Sequence, residues 1–357
     1  MTQVKKNRDD FSKISIIMCM RNSQVFLKEC LESIRKQTYQ GPIELSVFDD
    51  GSSDDSAKIL EDWEKECSKI VVVKSRNEDV ENAKGVGFGK NRAIEQSSGD
   101  YLCFMDSDDV MRPDRLVEQL SFCQTHQNAL VGSKIVRIPE DSTPRYTSWT
   151  NSLTPIQLRK QIYTCFGPTI IMPTWFCKRE TFFKASETGF DQSQARGLPE
   201  DLLFFYKHIR SDGDIVRVEN ILLEYRYHKN ATTFSVTDET IWNIRLKELE
   251  ERVLSNWDNF TIWNAGKEGR RLYRSLSDDN KKKVLAMADV DPKKISKKFY
   301  IYEKSSAPRK PKIPIIHFSD LRPPVIICVK LGLSNGNFER NLDSLNLKEG
   351  IDFVHFG

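Results

Sequence analysis

An α/β chain of two domains is predicted by three features of this 357-residue sequence. Short apolar runs alternate with stretches of helical periodicity, the pattern that builds a mostly parallel sheet. Two of those runs, 43–48 and 101–105, end on acidic clusters, Asp49-Asp50 and Asp106-Ser107-Asp108-Asp109. Parallel strands bring such ends to one edge, where ligands bind, so the two clusters should share a cleft. The length also exceeds one average domain, and fresh strand and helix signals begin near residue 240. The expected division is 12–240 for the larger domain and 241–357 for a smaller Rossmann-like one.

In chain order, Ile14-Ser-Ile-Ile-Met-Cys-Met20 reads as a first buried strand. Asn22 or Ser23 offers a helix cap, and Leu27, Cys30, Leu31 and Ile34 follow at helical spacing. After the second strand, Gly51 permits a tight turn, and Ser52 or Ser53 is placed to cap a helix carrying Ala57, Leu60 and Trp63. A third short strand spans 70–74. Gly85-Val-Gly-Phe-Gly89 is expected as a flexible glycine-rich loop that opens a helix and lets Lys90 approach a nucleotide. It lacks Walker spacing and the Lys-Ser/Thr pair, which excludes a P-loop. Tyr101–Met105 is the strand that positions the second acidic cluster; Asp106 and Asp108 are two apart and face one ligand. Hard divalent cations such as Mg²⁺ or Mn²⁺ take carboxylate oxygens and complete their shell with substrate phosphates. Pro113 then suits the first turn of a helix with Leu116, Leu120 and Cys123 inward.

Between 131 and 190 the pattern reads as irregular, with five prolines and a high density of aromatics, among them Tyr146, Trp149, Trp175 and Phe176. Glu200 and Asp201 stand at the start of an apolar helix, where a carboxylate serves as a cap or as a general base. Ile221–Leu223 is a short strand leading into Tyr225-Arg226-Tyr227-His228. In the second domain, Phe260–Trp263 is a strand followed by Asn264-Ala-Gly266-Lys-Glu-Gly269, and Val284–Asp289 is a second strand ending on an acid. That spacing is a dinucleotide fingerprint with Asn264 in place of its first glycine, a degraded form expected to have lost dinucleotide binding. Val325–Val329 is a further buried strand.

Composition narrows the compartment. No apolar run reaches the roughly 18 residues of a membrane helix, and residues 1–10 have no apolar signal-peptide core. Eight cysteines are scattered without a C-x-x-C pair, several within apolar strands, which favours free thiols in a reducing setting, cytoplasmic or nuclear. The net charge of +3 is unevenly spread: 267–312 holds 15 Lys and Arg against 6 Asp and Glu. A local basic surface suits a polyanion, and Lys281, Lys282 and Lys283 are its densest stretch and candidate RNA contacts.

Taken together and in order, Asp49-Asp50-Gly51-Ser52, Lys90-Asn91, Asp106-Ser107-Asp108-Asp109, Glu200-Asp201 and Tyr225-Arg226-Tyr227-His228 resemble the family 2 glycosyltransferases of GT-A fold over about residues 12–235. The resemblance implies a nucleotide-sugar donor and inversion at the anomeric carbon. It implies that Asp49 and Asp50 border the base, that Asp106 with Ser107 meets the ribose, and that Lys90 and Asn91 line the donor. It further implies that Asp108 holds a divalent cation with His228 nearby, and that Asp201, beside Glu200, is the base. Lys90 stands where the family commonly has Arg; it keeps the charge and loses the bidentate fork. The segments 173–177, 198–206, 260–267, 269–276 and 318–330 also resemble a tRNA-modifying branch of the family. This implies a UDP-galactose donor and a queuosine-containing tRNA(Tyr) acceptor. An N-acetylglucosaminyltransferase acting on glycans and a nucleotide-sensing protein without turnover are the rival readings.

Overall fold

The computed structural model describes residues 11–164, 167–229, 231–305 and 308–357. Two compact units result, one running to Arg159 and resuming at Gly167–Thr237, the other formed by Lys160–Phe166 and Asp238–Gly357.

The first unit is an α/β sheet with a parallel core. It contains β1 (Ile14–Met20), α1 (Leu27–Arg35), β2 (Ile43–Asp49), α2 (Ser56–Glu66), β3 (Ile70–Arg76), α3 (Val86–Gln96) and β4 (Tyr101–Phe104). These are followed by β5 (Val110–Met111), α4 (Arg115–Thr125), β6 (Ala129–Ile138), α5 (Pro144–Ser152), α6 (Pro155–Lys160), β7 (Phe176–Lys178), α7 (Arg179–Ala185), α8 (Glu200–Arg210) and β8 (Asp214–Arg226). The sheet order is β3-β2-β1-β4-β7-β6-β8-β5, with β3, β2, β1 and β4 mutually parallel. Chain order reverses at β1, so the carboxyl ends of β2 and β4 flank a crevice and carry the two acidic clusters there. Strands buried on both faces read as continuous apolar runs, which is why β1 and β2 were legible.

Several local expectations are corrected. Helix α1 begins at Leu27, four residues beyond Ser23, because Ser23 is held elsewhere: its amide donates to Ser56 Oγ and its hydroxyl lies 2.6 Å from Ser107 Oγ. Helix α2 starts at Ser56, whose amide donates to Asp54 Oδ1, so neither Ser52 nor Ser53 caps it. Pro113 lies outside α4, just before its cap Asp114. The segment expected to be irregular contains β6, a ten-residue strand paired in parallel with the thirteen-residue β8. Lys134 and Arg137 break the apolar reading of β6, yet Arg137 is buried.

The glycine-rich stretch is helix, not loop. Gly85 caps α3 at φ 94°, and Gly87 and Gly89 lie in its first turns. A Cβ on Gly89 would sit 2.2 Å from Cys19 Sγ, so the glycine lets α3 press against β1. That contact carries the next residue, Lys90, into the crevice.

The second unit holds α9 (Asp238–Arg252), β9 (Phe260–Trp263), α10 (Lys267–Ser275), α11 (Asp278–Lys282), β10 (Val284–Asp289), α12 (Pro292–Ile295), β11 (Phe299–Ile301), β12 (Lys312–His317), β13 (Val325–Ile327), α13 (Asn337–Asp343) and β14 (Phe353–His355). Its sheet order, β11-β12-β10-β9-β13-β14, is parallel except for the β11 edge, and reverses at β9 as in doubly wound folds. At the degraded fingerprint, Asp289 Oδ2 accepts from the Ala265 amide and pairs with Lys294 Nζ, both at 2.9 Å, while Oδ1 accepts from Val290 and Asp291. Asn264 Oδ1 accepts from the Gly266 amide at 2.6 Å. The acid that would meet a ribose and the side chain replacing glycine thus close the turn on itself.

Candidate active site

Three groups of side chains meet at the crevice. At the end of β2, Asp50 latches the chain that enters α3: Oδ1 accepts from the Lys84 amide (2.8 Å) and Asn77 Nδ2 (3.2 Å), and Oδ2 from the Gly85 amide (2.8 Å). Asp49 Oδ1 accepts from the Ser52 amide, while Oδ2 has no hydrogen-bond partner and faces Arg76 Nε at 3.6 Å. Asp50 is therefore committed to holding the loop, and Asp49 keeps an acceptor in reserve.

Beyond β4, carboxylate oxygens of Asp106, Asp108 and Asp109 lie within 4.8 Å of one another. Asp108 Oδ2 is 2.8 Å from His228 Nε2. Asp109 is fully buried; its Oδ1 accepts from the Arg226 amide and its Oδ2 has no partner. Arg226 also donates from Nε to the Asp108 carbonyl and reaches Glu29 Oε2, tying β8 to α1 around the cluster. Burial and then Asp106 raise the Asp108 carboxyl, against the pull of His228; burial, Asp108 and Asp106 raise Asp109. Three crowded carboxylates with an orphaned buried oxygen fit a divalent cation, which would relieve the repulsion that now favours protonation. Asp109 thus joins the cation cluster expected from Asp108 with His228, and its signal in the sequence is that it extends the same acidic run.

The third group centres on Lys90, fully buried, with Nζ 3.4 Å from Asp106 Oδ1, 3.4 Å from Glu200 Oε1 and 3.3 Å from Met172 Sδ. Burial opposes its charge, but Asp106, Glu200 and Asp201 outweigh that and raise its pKa. Glu200 and Asp201 occupy the first turn of α8. Asp201 is pushed up to about 7, first by burial and then by Glu200, against the Leu202 amide and Lys90. It is a carboxyl that titrates near neutrality, suited to taking a proton. Lys90 thus bridges the two carboxylate groups from below.

Asn91 is placed differently from its expectation as a donor contact. Its amide grips the backbone of Phe190 in both directions, Nδ2 to the carbonyl and Oδ1 from the amide, each at 2.9 Å. Lys281, Lys282 and Lys283, in the second unit, each have a local partner: Asp278 at 3.1 Å, Asp279 at 2.8 Å and the Leu254 carbonyl at 2.6 Å.

Comparison with known proteins shows what the chain is similar to. Residues 15–185 match the glycosyl transferase family 2. The chain is 29% identical over 252 residues to the poly(ribitol-phosphate) beta-glucosyltransferase of Bacillus spizizenii, covering 67% of this chain and 38% of that protein. It is 33% identical over 107 residues to the putative glycosyltransferase EpsH of Bacillus subtilis, or 30% of this chain and 29% of EpsH. The chain thus spans well under half of either relative. In fold, it resembles S. aureus TarS 1-349 in complex with UDP-GlcNAc, with a TM-score of 0.54 at 22% identity over 75% of this chain and 71% of that one. The first unit thus has the GT-A fold, and most of it matches that family. Among the described residues, no helix is long and apolar enough to cross a membrane.

Proposed function

We propose that the chain is an inverting, metal-dependent hexosyltransferase that uses a UDP-sugar. More finely, we propose the activity of a queuosine-tRNA galactosyltransferase: galactose passes from UDP-galactose to the cyclopentene diol of queuosine in the anticodon of tRNA(Tyr), in the cytoplasm. The observation that supports the transferase reading is Lys90, within 3.4 Å of both Asp106 and Glu200, which brings the acidic cluster after β4 and the Glu200-Asp201 start of α8 to one crevice.

In this reading Asp201 takes the proton of the acceptor hydroxyl as that oxygen attacks the anomeric carbon, and the bond to the diphosphate breaks on the opposite face. Asp106, Asp108 and Asp109 would hold Mn²⁺ or Mg²⁺, with His228 orienting Asp108; the cation supplies charge stabilisation for the departing UDP. Asp49, with one carboxylate oxygen unpartnered, would border the base, and Ser107 shapes the turn through Ser23. Lys90, 3.4 Å from Glu200 and from Asp106, would fix the spacing between the base and the donor site.

The tRNA reading draws support from the second unit. Residues 291–312 hold 8 Lys and Arg against 2 Asp and Glu, and Phe299 and Ile301 on the β11 edge are 39% and 42% exposed. Basic side chains around an exposed ring, Phe299, suit RNA. This stretch is a better grip than Lys281–Lys283: Lys281 and Lys282 face Asp278 and Asp279 and Lys283 a carbonyl, whereas among the described residues no carboxylate pairs with Lys297, Lys298, Lys310 or Lys312. A glycan or polyol-phosphate acceptor is the second reading, favoured by the name of the Bacillus spizizenii relative. The deciding experiment is a screen of UDP-galactose, UDP-glucose and UDP-N-acetylglucosamine against queuosine-containing tRNA and glycan acceptors, read by nucleoside mass spectrometry. Hexosylated queuosine from UDP-galactose is expected; transfer to glycans alone would discard the tRNA reading.

A further inference from the structure

Arg137, near the end of β6, is a buried charge that the chemistry above does not use. It is 8% exposed, its Nε has no hydrogen-bond partner, and among the described residues no carboxylate lies within ion-pair distance. What surrounds it is aromatic: its guanidinium lies 4.0 Å from the centre of the Tyr225 ring, 5.7 Å from Tyr146 and 5.8 Å from Tyr227. Rings attract the flat face of a guanidinium but leave its in-plane N–H donors unmet. That fork matches the paired oxygens of a phosphate.

This aromatic cluster is built on β8, the strand that borders the crevice. Tyr225 and Tyr227 alternate with Arg226 and His228, the residues that hold Asp109 and Asp108, and Arg137 pairs with Tyr225 in the β6–β8 register. Burial, Asp109 and Asp106, with Asp201, raise the Tyr225 phenol, so this ring stands within the field of both carboxylate groups. Tyr227 is 40% exposed and packs edge-on against Phe234, 55% exposed, at 5.7 Å. Exposed rings beside a guanidinium with an unmet donor suit a chain of bases joined by phosphates; a polyol phosphate offers no base to stack.

We propose that Arg137, enclosed by Tyr146, Tyr225 and Tyr227, is an acceptor subsite that takes a backbone phosphodiester of the RNA, with Tyr227 facing a neighbouring base. The proposal rests on the tRNA reading, and its test separates the two.

The full chain is titrated with a queuosine-containing anticodon stem-loop and, separately, with UDP, at several salt concentrations. Arg137→Gln is expected to raise the stem-loop Kd about tenfold or more and to flatten its salt slope by about 0.7, the share of one single-strand phosphate. UDP affinity should stay put, and Arg137→Lys should recover part of the loss. Tyr227→Leu should weaken the stem-loop without changing the slope. A folded Arg137→Gln protein with unchanged stem-loop Kd and slope overturns the proposal while leaving the tRNA reading intact. Loss of UDP affinity instead would assign Arg137 to the donor diphosphate and overturn it too. If Arg137→Gln fails to fold, Tyr227→Leu decides, and an unchanged stem-loop Kd refutes the subsite. A wild type that binds a ribitol-phosphate oligomer but not the stem-loop would defeat both the tRNA reading and the RNA assignment.

Discussion

Asp201 is expected to impose its titration on the rate of transfer. Its carboxyl is raised to about 7, chiefly by burial and next by Glu200, so the proton-accepting form is about 70% populated at pH 7.4 and about 9% at pH 6. Single-turnover rates with saturating UDP-sugar and metal should therefore fall about eightfold across that interval. Two substitutions should move the limb in opposite directions. Glu200→Gln removes a neighbouring negative charge and should shift it to lower pH; Lys90→Met removes the cation that favours the carboxylate and should shift it higher. Stability must show the same group with its own sign. Folding raises this pKa above the ordinary 3.8, so the penalty is absent below about pH 4, grows as pH rises, and is complete above about pH 7. Three units correspond to about 4 kcal/mol, an upper figure for a partly accessible side chain. Asp201→Asn should thus raise Tm relative to wild type at pH 8 and have little effect at pH 4, while slowing the chemical step roughly 10²-fold or more. A rate that stays flat from pH 8 to pH 5, or limbs unmoved in both neighbouring variants, would refute the assignment of Asp201 as the base.

Asp108→Ala should abolish transfer with little loss of Tm, chelation should do the same to wild type, and isothermal titration should show protons released on metal binding, because burial and Asp106 raise the Asp108 carboxyl; full turnover in excess chelator would discard the cation site. Gly89→Ala should lower stability by about 1–3 kcal/mol, measurable as a lower urea midpoint, since its Cβ would meet Cys19 Sγ at 2.2 Å. Reversing Lys297, Lys298, Lys310 and Lys312 to Glu should weaken binding of whole tRNA and flatten its salt dependence more than reversing Lys281, Lys282 and Lys283; equal effects of the two sets would refute the preference for the 291–312 surface. Adding NAD should leave the Tm of the full chain unchanged, because Asp289 already pairs with Lys294 and the Ala265 amide; a concentration-dependent rise would restore the dinucleotide reading.

What the sequence determined by itself is local in origin. Strands buried on both faces declare themselves as apolar runs, so β1, β9 and β10 have the limits read from their residues, and the acids at the ends of β2 and β4 fall on one edge once the strands are parallel. The glycines at 85–89 misled, because a glycine that frees a loop and one that lets a helix approach a strand look alike until the neighbour, Cys19, is known. Strands β6 and β8 were obscured or shortened because their polar residues find partners far away in sequence: Arg217 reaches the Leu153 carbonyl, and Arg137 lies among tyrosine rings. Only tertiary structure decided which side chains of the site remain available. Asp50 and Asn91 are consumed by backbone groups, Asp109 joins the metal-type cluster, and Lys90 meets Glu200 across 110 residues of chain. The physical reason is that periodicity and turn chemistry act over a few residues, whereas the protonation and partners of a buried charge depend on whatever distant chain comes to rest against it.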